Sequence, residues 1–161
     1  MNIIILIFAL LYLNCFYIKA KDYVIESQGK RILVKEHIYS EKDSFRIFKL
    51  EGTFKDNAGN FGEYNSIVNV KILNDVVESL EASNEFFYNK NTKAYNIAIR
   101  ANNELKQGVG KWNFTYASKN MSAIINSECL YSIRYYKDSF LTLAKCDIPE
   151  KAFDQIKSIL K

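Results

Sequence analysis

The chain has 161 residues and a formal charge of +4, with 22 basic and 18 acidic side chains. That length suits one domain with its own core and leaves no room for a second. Arginine occurs only at Arg31, Arg46, Arg100 and Arg134, and no basic stripe tracks along the sequence, so composition argues against a nucleic-acid partner.

The N-terminus carries the first strong signal. Met1 to Ala20 is an apolar run that ends at Lys19-Ala20, the layout of a secretory signal peptide cleaved after Ala20. No basic side chain precedes the run, and Ile18 is bulkier than the small residue usual two positions before a cleavage site. Retained, the stretch from Ile3 to Ile18 would be a short membrane anchor, because a span takes roughly 17–25 apolar residues. A lipoprotein reading through Cys15 lacks the small residue expected just before the cysteine. The expected organisation is therefore a leader over 1–20 and a single domain over 21–161, periplasmic or secreted, with no membrane contact once the leader is gone. Loss of Lys19 leaves 21 basic against 18 acidic side chains, close to balance.

Downstream the apolar period is mostly two, the mark of half-buried strands. Strands are expected over 31–39 and 44–54. The next has Tyr64, Val68, Val70 and Ile72 inward, alternating with Asn65, Asn69 and Lys71. After it, Val76 to Ala82 fits either a short helix capped by Asp75 and Glu78 or a hairpin turned at Asn74-Asp75. The hairpin is preferred, because both neighbours are strands. Further strands are expected over 85–88, over 95–100 with Tyr95, Ile97 and Ile99 inward, and over 111–116 with Trp112, Phe114 and Tyr116 inward. The last pair spans 129–136 and 139–146. The C-terminus differs: Ala152, Phe153, Ile156, Ile159 and Leu160 recur at helical spacing after Pro149, with Asp147 and Glu150 placed to cap, which predicts an amphipathic helix over 149–160. The fold class expected is mainly β, an antiparallel meander of about eight strands closing into a small barrel, with one C-terminal helix.

Once Cys15 leaves with the leader, Cys129 and Cys146 are the remaining cysteines. A two-residue turn at Lys137-Asp138 sets Tyr136 opposite Ser139 and Cys129 opposite Cys146. Counting outward from that turn puts the cysteines in a non-hydrogen-bonded pair, where side chains approach most closely, so a cross-strand disulfide is expected. The same register places Tyr131, Ile133, Tyr135, Phe140, Thr142 and Ala144 on the core face with the two cysteines. Leu130, Tyr136, Leu141 and Leu143 fall on the other face, and the C-terminal helix is the nearest candidate to cover them.

Few residues offer chemistry. His37 is the single histidine, there is no Gly-x-Ser-x-Gly turn, and Glu51, Asp56, Glu63 and Glu128 are scattered carboxylates, so no catalytic residue, metal ligand or cofactor is assigned. Gly110-Lys111-Trp112 matches the triplet that opens lipocalin barrels, but only 49 residues follow it, too few for the barrel that family builds downstream. Asn113-Phe-Thr and Asn120-Met-Ser are glycosylation sequons.

The run Gly52-Thr-Phe54-Lys-Asp56-Asn-Ala-Gly59-Asn60-Phe61-Gly62, with Gly110-Lys-Trp112, Cys129-Leu-Tyr131 and Lys145-Cys146, resembles a loosely defined group of small exported bacterial proteins. The glycine-aspartate run is also similar to that of allene oxide cyclase and dirigent barrels, which implies an eight-stranded barrel lined with apolar and aromatic side chains. No catalytic position carries over from those enzymes. The function expected is a non-catalytic binding or structural role in the cell envelope, with a small apolar ligand as the partner to look for. The alternative is an isomerase or cyclase of the allene-oxide-cyclase kind. A buried carboxylate or an inward Arg134 would favour the enzyme, and a bore filled by Tyr64, Trp112 and Phe114 the structural protein.

Overall fold

The computed structural model describes residues 20–100 and 104–160; the expected leader, with Cys15, lies outside them apart from Ala20. Eight strands run in order: β1 (Ala20–Ile38), β2 (Ser44–Asp56), β3 (Phe61–Leu73), β4 (Val76–Asn89), β5 (Thr92–Arg100), β6 (Gln107–Ala117), β7 (Glu128–Tyr136) and β8 (Ser139–Pro149). Each pairs antiparallel with the next, and β8 returns to β1, closing the barrel. Closure pairs β1 with both neighbours over residues 25–30; beyond Lys30 it pairs with β2 alone, so residues 32–38 keep one open ladder edge.

β1 is longer than expected, because residues 20–30, which continue the strand at 31–38, form its whole ladder with β8, from Ala20 opposite Pro149 to Lys30 opposite Ser139. Tyr23, Ile25 and Ser27 alternate inward there. The hairpin reading of Val76 to Ala82 holds: Asn74 and Asp75 both take positive φ, 53° and 65°, as the two-residue turn of a right-twisted hairpin requires. The turn at Lys137-Asp138 also forms, and it sets the expected register, with Tyr136 opposite Ser139, Tyr135 opposite Phe140 and Cys129 opposite Cys146. The two cysteines are disulfide-bonded with their Cα atoms 4.0 Å apart. That spacing is nearer the roughly 4.5 Å of a non-hydrogen-bonded pair than the roughly 5.5 Å of a hydrogen-bonded one.

Two faces are corrected. On β5 the inward residues are Ala94, Asn96, Ala98 and Arg100, while Tyr95 and Ile97 are half-buried outside and Ile99 is 57 % exposed. The reason is volume. Asn96 lies beside Phe114, and Ala98 beside Trp112, so β5 has to be thin where β6 is thick. Phe86 of β4 faces Ala94 and fills the centre, with Phe54, Tyr64, Trp112 and Phe114 all within 6.4 Å between ring centroids. On β6 one extra residue enters between Phe114, opposite Asn96, and Tyr116, opposite Tyr95. This bulge turns Tyr116 outward, where its ring meets that of Tyr95 at 5.6 Å.

A glycine pair solves a similar volume problem elsewhere. Gly29 and Gly52 face each other across β1 and β2, and a Cβ on either would sit 2.0 Å from a carbonyl oxygen of the other strand. Flanking them in the same row are Phe140 of β8 and Tyr64 of β3, whose rings meet 5.6 Å apart. Two large rings thus bridge two absent side chains.

The lower end is plugged. The link from β6 to β7 contains a 3-10 segment, Lys119–Ile124, absent from the sequence expectation, and the C-terminal helix α1 (Glu150–Lys157) packs against it, followed by a 3-10 turn at Ser158–Leu160. Ala152 and Ile156 of α1 are fully buried with Met121 and Ile124, and the Gln155 side-chain oxygen accepts the Ala123 N–H at 3.1 Å. Pro149 occupies the cap position, and no side chain caps the helix; Asp147 lies on β8 and Glu150 in the first turn. The helix therefore does not cover the outer face of β7 and β8. Leu130, Leu141 and Leu143 remain 49–57 % exposed and Tyr136 73 %. The helix follows β8 around the barrel rim, and its apolar stripe finds the open end of the core before the outer wall.

Two measurements test this packing. Replacing Ala98 by Leu should lower stability by about 1–3 kcal/mol through overpacking, whereas Ile99→Thr should stay within about 0.5 kcal/mol; thermal melts of both variants decide whether Ala98 or Ile99 is the inward residue. Replacing Cys129 and Cys146 together by Ala should remove roughly 3 kcal/mol of chain-entropy stabilisation, giving a clearly lower melting temperature with the β-type circular dichroism retained below it.

Candidate functional site

Polar side chains inside the barrel fall at three levels. At the lower end Asp56, the last residue of β2, accepts from the backbone N–H groups of Ala58 and Asn60, from the Asn60 side chain, and from the Tyr23 hydroxyl at 2.8 Å. Since Tyr23 spends its proton on Asp56, the 2.6 Å contact between Tyr23 and Tyr88 has Tyr88 donating. Asn60 also donates to the Ile156 carbonyl at 3.3 Å, which ties the β2–β3 turn to α1. Every acceptor site on Asp56 is occupied by structure, so this group is a latch.

Midway up, Tyr64 donates to Asn84 at 2.7 Å, and Asn84 donates to Asn96 at 2.6 Å. Beside them is a cavity of about 20 Å³, lined by Tyr64, Leu80, Asn84, Trp112, Tyr131 and Tyr135 among others. It has room for about one water. The bore is otherwise filled by Phe54, Phe86, Trp112 and Phe114.

The upper end holds the charge. Arg31 is sandwiched between the rings of Phe48, 5.2 Å away, and Tyr135, 4.7 Å away, and donates to the Lys137 carbonyl. Arg46 pairs with Glu36 at 2.5 Å. Arg100 points inward below them, beside Tyr131 and Tyr135. The spacing that looked like a lipocalin triplet has a local cause here: on β6, Gly108 clears space for the Arg100 side chain and Gly110 for the Tyr131 ring.

The residues singled out in the sequence do not converge. His37 is exposed near the far end of β1, and Glu63 and Glu128 are exposed, with Glu128 paired to Lys111 at 2.8 Å. Glu51 pairs with Lys49, and Asp56 belongs to the latch. Arg134 is exposed on the outer wall opposite Leu141. Among the described residues no three His, Cys, Asp or Glu side chains cluster as metal ligands would. The residue missed was Arg100, which the reversed reading of β5 had put outside. Its signal was the alternation of Ala94, Asn96, Ala98 and Arg100 opposite a strand bearing Trp112 and Phe114.

Burial dominates the titration of the interior. It raises the phenols of Tyr23, Tyr64 and Tyr88 well above their ordinary range. Tyr135 is pushed up to about 12 by burial, partly offset by the Arg100 charge. The unfolded chain therefore gives up these protons first. Stability from the four tyrosines is complete below about pH 10 and falls as pH rises above it. An alkaline titration followed by phenolate absorbance and near-ultraviolet circular dichroism tests this. These four should ionise only with the cooperative loss of near-ultraviolet circular dichroism, and smooth titration of all tyrosines near pH 10 in a folded protein would refute the burial assignments.

No protein-family model matches the chain, and no curated protein matches it.

Proposed function

We propose that the chain is an exported, non-catalytic β-barrel that serves as a rigid binding or structural module in the periplasm or outside the cell. The observation that carries this reading is the filled bore. Small-molecule sites usually offer about 300–1,000 Å³; the cavity inside the bore is about 20 Å³, and hollows of ligand size, about 620 and 700 Å³, lie open at the surface instead. An isomerase or cyclase working on an apolar substrate would need that missing volume, together with a buried acid or base near it. Arg134 faces solvent, and the half-buried Asp56 already satisfies its hydrogen bonds. Filling by Tyr64, Trp112, Phe114 and Phe86 favours a framework whose contacts with partners lie at its mouth and outer wall.

Export is supported by the leader-like N-terminus and by the Cys129–Cys146 bridge, since such bonds persist mainly in oxidising compartments. The latch around Tyr23 and Asp56 suits a module that keeps its shape without a ligand. Native mass spectrometry of protein recovered from its own cell envelope tests the proposal. The expected mass is that of the polypeptide starting at Lys21 with one disulfide and no bound organic molecule of drug-like size. A retained apolar ligand, or an intact leader in the membrane fraction, would turn the reading to a ligand carrier or an anchored domain respectively.

A further inference from the structure

β1 outruns its partner on one side. Its last bond to the β7–β8 turn is from the Arg31 N–H to the Asp138 carbonyl at 2.6 Å, and residues 32–38 continue past that turn with β2 alone beside them. Backbone alternation fixes which groups are left open. Leu33 is in phase with Arg31, and the Tyr39 N–H reaches back to Asp43 at 2.9 Å, which turns the N–H and C=O of Glu36 and Ile38 away from β2. The side chains here are open too. Ile32, Leu33, Val34 and Ile38 are 43–70 % exposed, a run of apolar surface along an unpaired edge, where sheets ordinarily place short, covered or charged strands.

The two faces of this edge differ. Leu33 and Ile38 stand opposite Phe48 and Ser44, both buried, so they face the barrel mouth, whereas Lys35 stands opposite the half-buried Ile47 on the outer side. The one acid on the edge, Glu36, is held by Arg46. Lys30, Lys35 and Lys137 have no carboxylate partner among the described residues, and the Lys137 ammonium lies over the Tyr136 ring instead. A second copy matches this edge poorly. In a two-fold antiparallel pair, residues 32–38 overlap fully when Lys35 faces Lys35; one step along sets Glu36 on Glu36, and one step back sets Lys35 and Glu36 against Leu33 and Ile32. We propose that residues 32–38 are a strand-addition site for an extended segment of a partner protein, with apolar side chains at alternate positions toward Leu33 and Ile38 and acidic ones between them toward Lys35. The open ladder sets the shape of the partner, and the unpaired lysines set its sign. The bulge between Leu33 and Lys35 and the Lys35 charge exclude an unmatched flat strand, so the pairing is selective. This deepens the framework reading above and rests on it, because it gives a non-catalytic module its contact.

The test titrates two fluorescein-labelled heptapeptides into the purified disulfide-intact chain, one alternating glutamate with valine and the other lysine with valine. Anisotropy should saturate with the glutamate peptide, and the lysine peptide should bind roughly tenfold more weakly or worse. Lys35→Glu, at an exposed position, should invert that order. A control that needs no protein variant uses the glutamate peptide N-methylated either on every glutamate or on every valine. Each version loses the ladder donors of one edge, so one of the two should fail to bind. In amide exchange, the Glu36 and Ile38 N–H groups should gain protection when the glutamate peptide is added, while that of His37, turned toward β2, stays as it was. No saturable binding of the glutamate peptide, equal binding of the two peptides, or binding kept by both methylated versions would overturn the site. So would a chain that sediments as a dimer with Glu36 and Ile38 already protected, which gives the edge to a second copy. None of these results alters the mass expected for the filled barrel, so failure here is separable from failure of the framework reading.

Discussion

An eight-stranded barrel encloses a bore only just wide enough for its own side chains, and in this protein that limit governs the choice of residue strand by strand. Where β4 and β6 contribute Phe86, Trp112 and Phe114, the strand between them contributes Ala94, Asn96 and Ala98. Where β3 and β8 contribute Tyr64 and Phe140, the two strands between contribute Gly52 and Gly29. Where β5 contributes Arg100 and β7 Tyr131, β6 contributes Gly108 and Gly110. Large and absent side chains alternate around the circumference. The aromatic cluster and the inward arginine follow from one packing requirement.

This requirement also explains what could be read from the sequence. The strand count, the closing order, the last hairpin and its disulfide were legible because they depend on local signals: alternation in 129–136 and 139–146, a turn at Lys137-Asp138, and two cysteines at matching positions. β5 was misread because its outer face, Tyr95, Ile97 and Ile99, is more apolar than its inner one. Alternation fixes two faces but not which is inside, and the strands beside it decided the matter through volume. Tyr116 was misread for another reason, an inserted residue in β6 that shifts the phase of the alternation by one. The first half of β1 was hidden by its position directly after the leader-like segment.

The charged upper end was less legible than the fold. Nothing local marks Arg100 as different from Arg134, another arginine in a strand. The contrast exists only once the strands are arranged, with one guanidinium held inside beside two tyrosines and the other in solvent opposite Leu141. The glycines of β6 carried the hint in a form that pointed to a different family. Their role is to leave room on the inner wall, and that becomes apparent when the neighbouring side chains are in place.

β1 takes one partner from the nearest part of the chain and the other from the farthest. The Thr142 hydroxyl donates to the Ser27 carbonyl across 115 residues of sequence. Until β8 arrives, β1 and β7 each carry an open ladder edge, and such edges recruit strands from other molecules. The disulfide acts on this interval, because it joins β7 to β8 and makes the final piece a preassembled hairpin that needs only to find β1. Oxidation before closure therefore shortens the exposure of both edges. Refolding under reducing conditions, by the same logic, shifts the balance from closed monomers toward strand-exchanged oligomers.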